Sequence, residues 1–124
     1  MIIANGCDLI EIARIARAVR NERFLLRIFT ESERCYANEK KGQHAIASLA
    51  AAFAAKEAIA KALGTGFGAI GWQDIEIRHD KLGKPEAFLS GRALKIADEL
   101  QVKKIHLSIS HSKDNALAMV ILEG

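Results

Sequence analysis

Three charged side chains that could act together come from two distant parts of this sequence of 124 residues. Asp8 follows an apolar N-terminal segment, whereas Glu57 and Lys61 lie one helical turn apart in an alanine-rich segment. Mg²⁺ is usually held by one or two carboxylates together with substrate phosphates, so Asp8 and Glu57 could form such a site. Two simpler interpretations compete with it. Asp8 could cap a helix that begins near Ile10, and Glu57 with Lys61 could form an exposed i, i+4 pair.

A glycine-rich segment and a Ser-His pair could both contact phosphate groups. Gly64, Thr65 and Gly66 follow the alanine-rich segment, and their backbone N–H groups could approach an anion closely. The segment lacks the G-x-x-x-x-G-K-[ST] order of a P-loop, so an ordinary helix cap is the alternative. Ser110 and His111 follow alternating apolar residues, and His111 could bind a phosphate or relay a proton. A serine hydrolase is not indicated, because the G-x-S-x-G motif is absent, and Ser110 could simply belong to the polar face of a strand.

Arginines are concentrated in the first quarter of the chain. They are Arg14, Arg17, Arg20, Arg23 and Arg27. The default interpretation is a solvated helix surface, and the alternative is a docking surface for an acidic helix of another protein. The formal net charge of the chain is only +3, which is weak support for nucleic-acid binding.

The composition favours one small globular domain that covers residues 1–124. Half of the residues are hydrophobic and only one is proline, which argues against a disordered chain. No apolar segment approaches the roughly 20 residues that cross a bilayer, and the first residues do not resemble a signal peptide. Cys7 and Cys35 are isolated, so neither a disulfide framework nor a zinc site is expected. We therefore expect a soluble, cytoplasmic protein without a membrane partner, and its small size favours an oligomer.

Hydrophobic spacing and capping signals predict five helices. The predicted helices cover about residues 10–19, 22–28, 31–41, 44–63 and 92–100. Thr30 and Glu33 form a T-x-x-E capping box at the start of the third helix. The fourth is rich in alanine, the best helix former, and Gly64 is a typical residue just beyond a helix end.

Alternating apolar residues predict five strands. The predicted strands cover residues 2–8, 72–78, 86–89, 105–110 and 116–122. In the last helix, we expect Leu94, Ala97 and either Ile96 or Leu100 to face the core. The resulting expectation is an α+β fold, with one antiparallel sheet packed against a long alanine-rich helix.

Taken in order along the chain, these motifs resemble the holo-acyl-carrier-protein synthase family. The segments that carry the resemblance are 6–11, 29–33, 53–58, 61–66, 82–85 and 107–111. The F-A-A-K-E-A block and its K-A-L-G-T-G continuation are highly specific, and the likeness spans nearly the whole chain. Small departures at Cys7, Ser112 and Asn115 leave both proposed metal ligands in place.

The resemblance implies the 4′-phosphopantetheinyl transferase fold and a homotrimer with active sites between subunits. Asp8 and Glu57 would hold Mg²⁺ on the diphosphate of coenzyme A, and Lys61 would contact that diphosphate. Arg14 would meet the acidic helix of the partner, an acyl carrier protein. The nucleotide end of coenzyme A would be lined by the residues Gly64, Thr65, Gly66, Ser110 and His111.

The implied reaction moves 4′-phosphopantetheine from coenzyme A to a carrier-protein serine, releases 3′,5′-ADP and supports fatty acid biosynthesis. The base that takes the serine proton would be Glu57, directly or through a metal-bound water, or else His111. Three other functions stay open: a binding module without catalysis, another Mg²⁺-dependent phosphotransferase or hydrolase, and a basic nucleic-acid-binding protein. We expect no nucleic-acid partner.

Overall fold

The computed structural model describes residues 1–124 and confirms the α+β class. The helices are α1 (Ile12–Ala18), α2 (Glu22–Ile28), α3 (Glu31–Asn38), α4 (Gln43–Leu63) and α5 (Gly91–Glu99). The strands are β1 (Ile2–Glu11), β2 (Ile75–His79), β3 (Pro85–Leu89), β4 (Lys104–His111) and β5 (Asn115–Glu123). Every predicted helix and strand is therefore present, with boundaries that differ by a few residues.

The five strands form two antiparallel sheets, whereas the sequence predicted one. The larger sheet has the order β1-β5-β4, and the smaller one is the β2–β3 hairpin. In the larger sheet, Asp8 is in register with Ala118, which is in register with Ile109. One face of this sheet packs on α4, whereas the other face is exposed.

Helix α4 runs through the centre of the molecule and contacts β1, β5, α3 and α1. It is buried on nearly every side, because its alanines let these elements approach closely; Ala54, Ala55 and Ala58 are fully buried. The helix ends as predicted at Gly64, whose φ of 80° is left-handed and therefore favours glycine. None of the helices combines the length and apolar character needed to cross a bilayer.

Two details of the prediction are wrong. Residues Trp72–Asp74 form a 3₁₀ turn before β2, because the Asp74 carboxylate accepts the amide N–H of Gly71 at 3.0 Å and closes the turn. In α5, the helix face toward the core carries the small residues Ala93 and Ala97. Ala97 and the half-buried Ile96 face the core as predicted, whereas Leu94 is exposed, because it lies one residue beyond Ala93 and points away from that face.

An unpredicted ion pair lies inside the fold. The ammonium of Lys56 on α4 is 2.7 Å from the carboxylate of Glu33, and both side chains are almost completely buried. Lys56 Nζ also donates to the carbonyl oxygens of Ile28 and Trp72. The Glu33 carboxylate accepts the N–H groups of Thr30, in the predicted capping box, and of Ile77 in β2. Burial lowers the pKa of Lys56, and the negative charge of Glu33 opposes that shift.

The Lys56–Glu33 pair joins five parts of the chain, so removing one partner should be costly. We expect Lys56→Met to lower the free energy of unfolding by about 3–5 kcal/mol, because the Glu33 carboxylate would stay buried without its cation. Urea unfolding measures this change. The matched control is Lys95→Met at an exposed position of α5, which should stay within about 0.5 kcal/mol of the parent. Equal stability of the two variants would contradict the importance of the pair.

Candidate active site

Asp8 lies within β1 on the sheet face that packs against α4. Its side chain is 17% exposed. The strand can approach the helix closely at Gly6, because a Cβ atom there would overlap the carbonyl oxygen of Ala58. Since Asp8 is inside a strand and α1 begins only at Ile12, the alternative in which Asp8 caps a helix near Ile10 is wrong.

Lys61 reaches from α4 to β1. Its ammonium donates to the Asp8 carboxylate at 2.9 Å and to the Cys7 carbonyl oxygen at 3.2 Å. The hydrogen bond to Asp8, together with the charge of Asp8, raises the pKa of Lys61. The ion pair of Lys61 is therefore with Asp8. The alternative interpretation, an exposed i, i+4 pair between Glu57 and Lys61, is wrong.

Glu57 lies half-buried on α4, one turn before Lys61. Burial raises the pKa of Glu57, and the negative charge of Asp8 raises it further. The positive charges of Lys61 and Arg14 oppose this shift. These four residues, which the sequence analysis had selected separately, thus lie close enough to influence one another's charge. Arg14 itself is exposed on α1, at the edge of this cluster.

The two acidic residues fit a divalent cation only in part. No group of three or more histidine, cysteine, aspartate or glutamate side chains is arranged to hold a metal ion. Asp8 and Glu57 supply two carboxylates; burial and then the charge of Asp8 raise the pKa of Glu57, and a cation held between them would relieve their mutual repulsion. Proteins usually contribute one or two carboxylate ligands to a Mg²⁺ ion, and substrate phosphates supply further ligands, so two carboxylates are sufficient.

The glycine-rich loop begins directly at the end of α4. The amides of Gly64 and Thr65 are already used by the helix cap, since they donate to the carbonyl oxygens of Lys61 and Ala60. The Thr65 hydroxyl oxygen is buried and has no hydrogen-bond partner. Apart from backbone groups beyond Thr65, the loop therefore has one polar group without a hydrogen-bond partner, the Thr65 hydroxyl.

Ser110 and His111 lie at the end of β4, two strands away from Asp8 in the sheet. Ser110 is exposed on the outer face of the sheet, as expected for the polar side of a strand. His111 lines two cavities of about 270 and 450 Å³, and His44 at the start of α4 lines both as well. Within one chain, Ser110 and His111 therefore point to opposite faces at the end of β4, and both lie away from the Asp8 cluster.

The cavity of about 270 Å³ is lined by one lysine and by aromatic rings that the sequence analysis did not select. The rings of Tyr36 and His79 stack at 4.0 Å, and the Lys40 ammonium lies 4.6 Å from the Tyr36 ring centre. Burial lowers the pKa of His79, and Lys40 lowers it further. These residues come from α3, its C-terminal turn and β2. In the sequence, this cavity could be anticipated only from Lys40 and His44, which lie close together on either side of the first residue of α4.

Comparisons with known proteins agree along the whole chain. Residues 4–120 match the 4′-phosphopantetheinyl transferase superfamily. A holo-[acyl-carrier-protein] synthase of Clostridium tetani is 50% identical over 125 residues, covering 100% of this chain and 98% of that protein. The crystal structure of a holo-[acyl-carrier-protein] synthase from Neisseria meningitidis superposes with a TM-score of 0.88 at 38% identity and covers 100% of both chains.

A second solved structure carries a ligand. It is a holo-(acyl-carrier-protein) synthase from Bacillus anthracis in complex with CoA (3′,5′-ADP). Its TM-score is 0.82 at 41% identity, and the match covers 98% of this chain and 96% of that one.

The close approach at Gly6 should be needed to keep β1 seated on α4. Gly6→Ala would force the two elements apart, and we expect a loss of about 1–3 kcal/mol in the free energy of unfolding. The control is Gly71→Ala, where an added Cβ would lie 3.6 Å from the Asp74 carboxylate, an ordinary contact. Chemical denaturation compares the two variants. If Gly6→Ala is as stable as Gly71→Ala, the close packing of the strand on the helix is not required.

Proposed function

Since the chain belongs to the holo-[acyl-carrier-protein] synthase family of the 4′-phosphopantetheinyl transferase superfamily, it is a transferase, and we propose that it modifies a serine of an apo-acyl carrier protein. The donor is coenzyme A, the reaction depends on Mg²⁺, and the second product is 3′,5′-ADP. The setting is fatty acid biosynthesis in the cytoplasm. The observation that carries the proposal is the cluster of Asp8, Glu57 and Lys61, formed by β1 and α4.

The transfer is a substitution at phosphorus. The serine oxygen forms a bond to the β-phosphorus of coenzyme A, and the bond from that phosphorus to the oxygen bridging the α-phosphate breaks. The electron pair of the broken bond leaves with 3′,5′-ADP, and the serine proton passes to a base. Such a reaction needs positioning and charge neutralisation more than covalent catalysis. Lys61 is suited to this task, because its exposed ammonium can contact a phosphate oxygen.

We assign the base to Glu57 rather than to His111. A general base must lie within reach of the proton that it takes, and Glu57 is close enough to Arg14, the proposed docking residue, for that positive charge to act on it. Glu57 also shares its surroundings with Lys61, the candidate phosphate contact. His111 lies two strands away and lines the cavities near His44, which suits a role in binding the nucleotide.

Asp8 and Glu57 are the residues that would hold Mg²⁺. When bound, the cation would supply neutralisation of the negative charge on the diphosphate. The carboxylate of Asp8 is held in place by the Lys61 ammonium, and Glu57 by its helix. Because the chain offers two carboxylates and no larger ligand group, the proposal implies that metal binding is weak without coenzyme A.

The nucleotide end of coenzyme A is proposed to occupy the polar region around Ser110 and His111. Support comes from the cavity that His111 shares with Lys40 and His44, since the Lys40 ammonium and the imidazole N–H groups suit the 3′-phosphate. The loop of Gly64, Thr65 and Gly66 is proposed to lie along the diphosphate. The unsatisfied hydroxyl of Thr65 is a candidate donor to it.

The acyl carrier protein is proposed to dock on α1 and α2. All five arginines of this region are exposed. Arg14 is near enough to Glu57 to lower its pKa, so an acidic helix bound at Arg14 would bring its serine close to the proposed base. Positive charge on this surface would also accelerate the encounter with an acidic partner.

The outer face of the larger sheet supports a homotrimer. Leu9, Leu117 and Met119 form an exposed apolar patch there, with exposed fractions of 64%, 40% and 48%. Neighbouring copies of the chain are proposed to cover this patch. Ser110 lies on the same face, in register with Leu117, so a copy bound there would adjoin the proposed nucleotide region. Each active site would then lie between two subunits, with the neighbouring copy next to the proposed nucleotide region.

Replacing Glu57 by glutamine should abolish the transfer. We expect Glu57→Gln to reduce kcat by at least about 100-fold, because the amide cannot take up the serine proton. The assay incubates the chain with apo-carrier protein, coenzyme A and Mg²⁺. Mass spectrometry then detects the added phosphopantetheine and 3′,5′-ADP, with EDTA as the control for metal. Formation of 3′,5′-ADP separates the transferase from a binding module, and full activity of Glu57→Gln would refute the role of Glu57.

The same variant should remain folded. A carboxyl group whose pKa is raised in the folded state disfavours folding once it is ionised, so this penalty grows as the pH rises above the usual value of about 4.3. Glu57→Gln removes the penalty. Its thermal midpoint should equal or exceed that of the parent at pH 7, and the difference should vanish near pH 4.

The trimer is tested with a charge placed in the patch. Met119→Glu should give monomers in analytical ultracentrifugation, because it would bury an unpaired carboxylate between subunits. The matched control is Leu82→Glu in the β2–β3 turn, where the leucine is 95% exposed, and this variant should remain trimeric. A monomeric parent chain would overturn the homotrimer.

A further inference from the structure

The segment between α4 and the 3₁₀ turn has few contacts of its own. A Cβ atom at Gly64, Gly66 or Gly68 would meet nothing within 4 Å, so the glycines do not anchor it. Two larger side chains do. Ile70 is buried in the core, and the ring of Phe67 stacks on the ring of Trp72 at 3.6 Å with an angle of 6° between the planes.

The turn that Phe67 holds carries the free amides of the loop. The N–H groups of Gly66, Phe67 and Gly68 donate to no acceptor in the chain. The amides of Gly64 and Thr65, by contrast, are used by the cap of α4. Three successive amides without a partner are donors that an anion can use, provided that the turn is held in one position.

Trp72 is itself fixed to helix α4. Its ring also stacks on Phe53 at 4.9 Å, and its carbonyl oxygen accepts the buried ammonium of Lys56 at 3.3 Å. Phe53 and Lys56 stand on the same helix as Glu57, and Lys56 is its neighbour in sequence. A continuous series of contacts therefore runs from the free amides through Phe67 and Trp72 to the helix that carries the acidic site.

We propose that Phe67 and Trp72 are positioning residues, whose stack holds the amides of Gly66, Phe67 and Gly68 in place to bind the diphosphate of coenzyme A. This inference rests on the proposed function and deepens it. It assigns the backbone anion contacts of the loop to the turn after Thr65, and it gives the aromatic stack a role beyond packing. The stack touches neither the substrate nor the reacting atoms, so its effect is on binding.

The test compares variants on either side of the stack. Phe67→Leu and Trp72→Phe should each raise the KM for coenzyme A by about 3- to 10-fold, the range expected for the loss of one aromatic pair. The KM for the carrier protein and kcat should change less than about 2-fold, because ground state and transition state lose the same contact. Phe67→Tyr keeps the stack and should behave like the parent.

The matched control is Phe88→Leu. Phe88 is another aromatic residue, and its ring lies under the guanidinium of Arg78 in the β2–β3 hairpin. It should leave all kinetic constants unchanged. Calorimetric titration with coenzyme A measures binding directly, without turnover, and thermal midpoints establish that each variant is folded. A general loss of folding would lower the fraction of active protein without raising the KM for coenzyme A.

The outcomes separate the two proposals. If the parent binds coenzyme A and transfers phosphopantetheine, but Phe67→Leu and Trp72→Phe bind coenzyme A as tightly as the parent, only the positioning inference is overturned. A fall in kcat with an unchanged KM would overturn it as well. If the parent neither binds coenzyme A nor yields 3′,5′-ADP, the proposed function fails and this inference fails with it.

Discussion

Strand β1 lies so close to helix α4 at Gly6 that the carbonyl oxygen of Ala58 leaves no room for a side chain. Asp8 follows two residues later on the same face of the strand, and Glu57 precedes Ala58 on the helix. The close approach of the two backbones therefore brings the two carboxyl groups near enough for the charge of Asp8 to raise the pKa of Glu57. Burial by this packing is the larger cause of the raised pKa, and the repulsion between the two carboxylates adds to it. An alanine-rich helix is suited to it, because larger side chains would hold the strand away.

The two lysines of α4 illustrate how one helix serves both stability and chemistry. Lys56 is fully buried and satisfies all three of its N–H donors, with the carboxylate of Glu33 and two carbonyl oxygens. Lys61 is exposed and holds only Asp8 and one carbonyl oxygen of the strand. A buried, fully paired ammonium is a rigid support, whereas an exposed ammonium can exchange its partner. Glu57 lies between these two cations along the helix.

The sequence was sufficient for features that depend on local pattern. The capping box of Thr30 and Glu33 and the end of α4 at Gly64 follow from interactions within a few residues. Features decided by distant contacts were not predictable. Lys56 needs acceptors from three remote segments, and a lysine among alanines carries no sign of them. The exposure of Leu94 likewise results from which face of α5 meets the core, the one that carries Ala93 and Ala97. Asp8, Glu57 and Lys61 could be selected by residue type, but only the packing of β1 on α4 brings them together.

Under the proposed function, the ion pair between Lys61 and Asp8 is also the point at which a phosphate would enter the site. The Lys61 side chain is half exposed, and exposed ion pairs add little to stability because water screens them. Moving the ammonium from Asp8 to a phosphate oxygen therefore costs the fold little, and the Asp8 carboxylate becomes available to a cation at the same time. A diphosphate and a divalent cation that arrive together, as proposed, would exchange one weak ion pair for two stronger interactions. Either one alone would leave a charge without its partner, so the geometry of the pair favours joint binding.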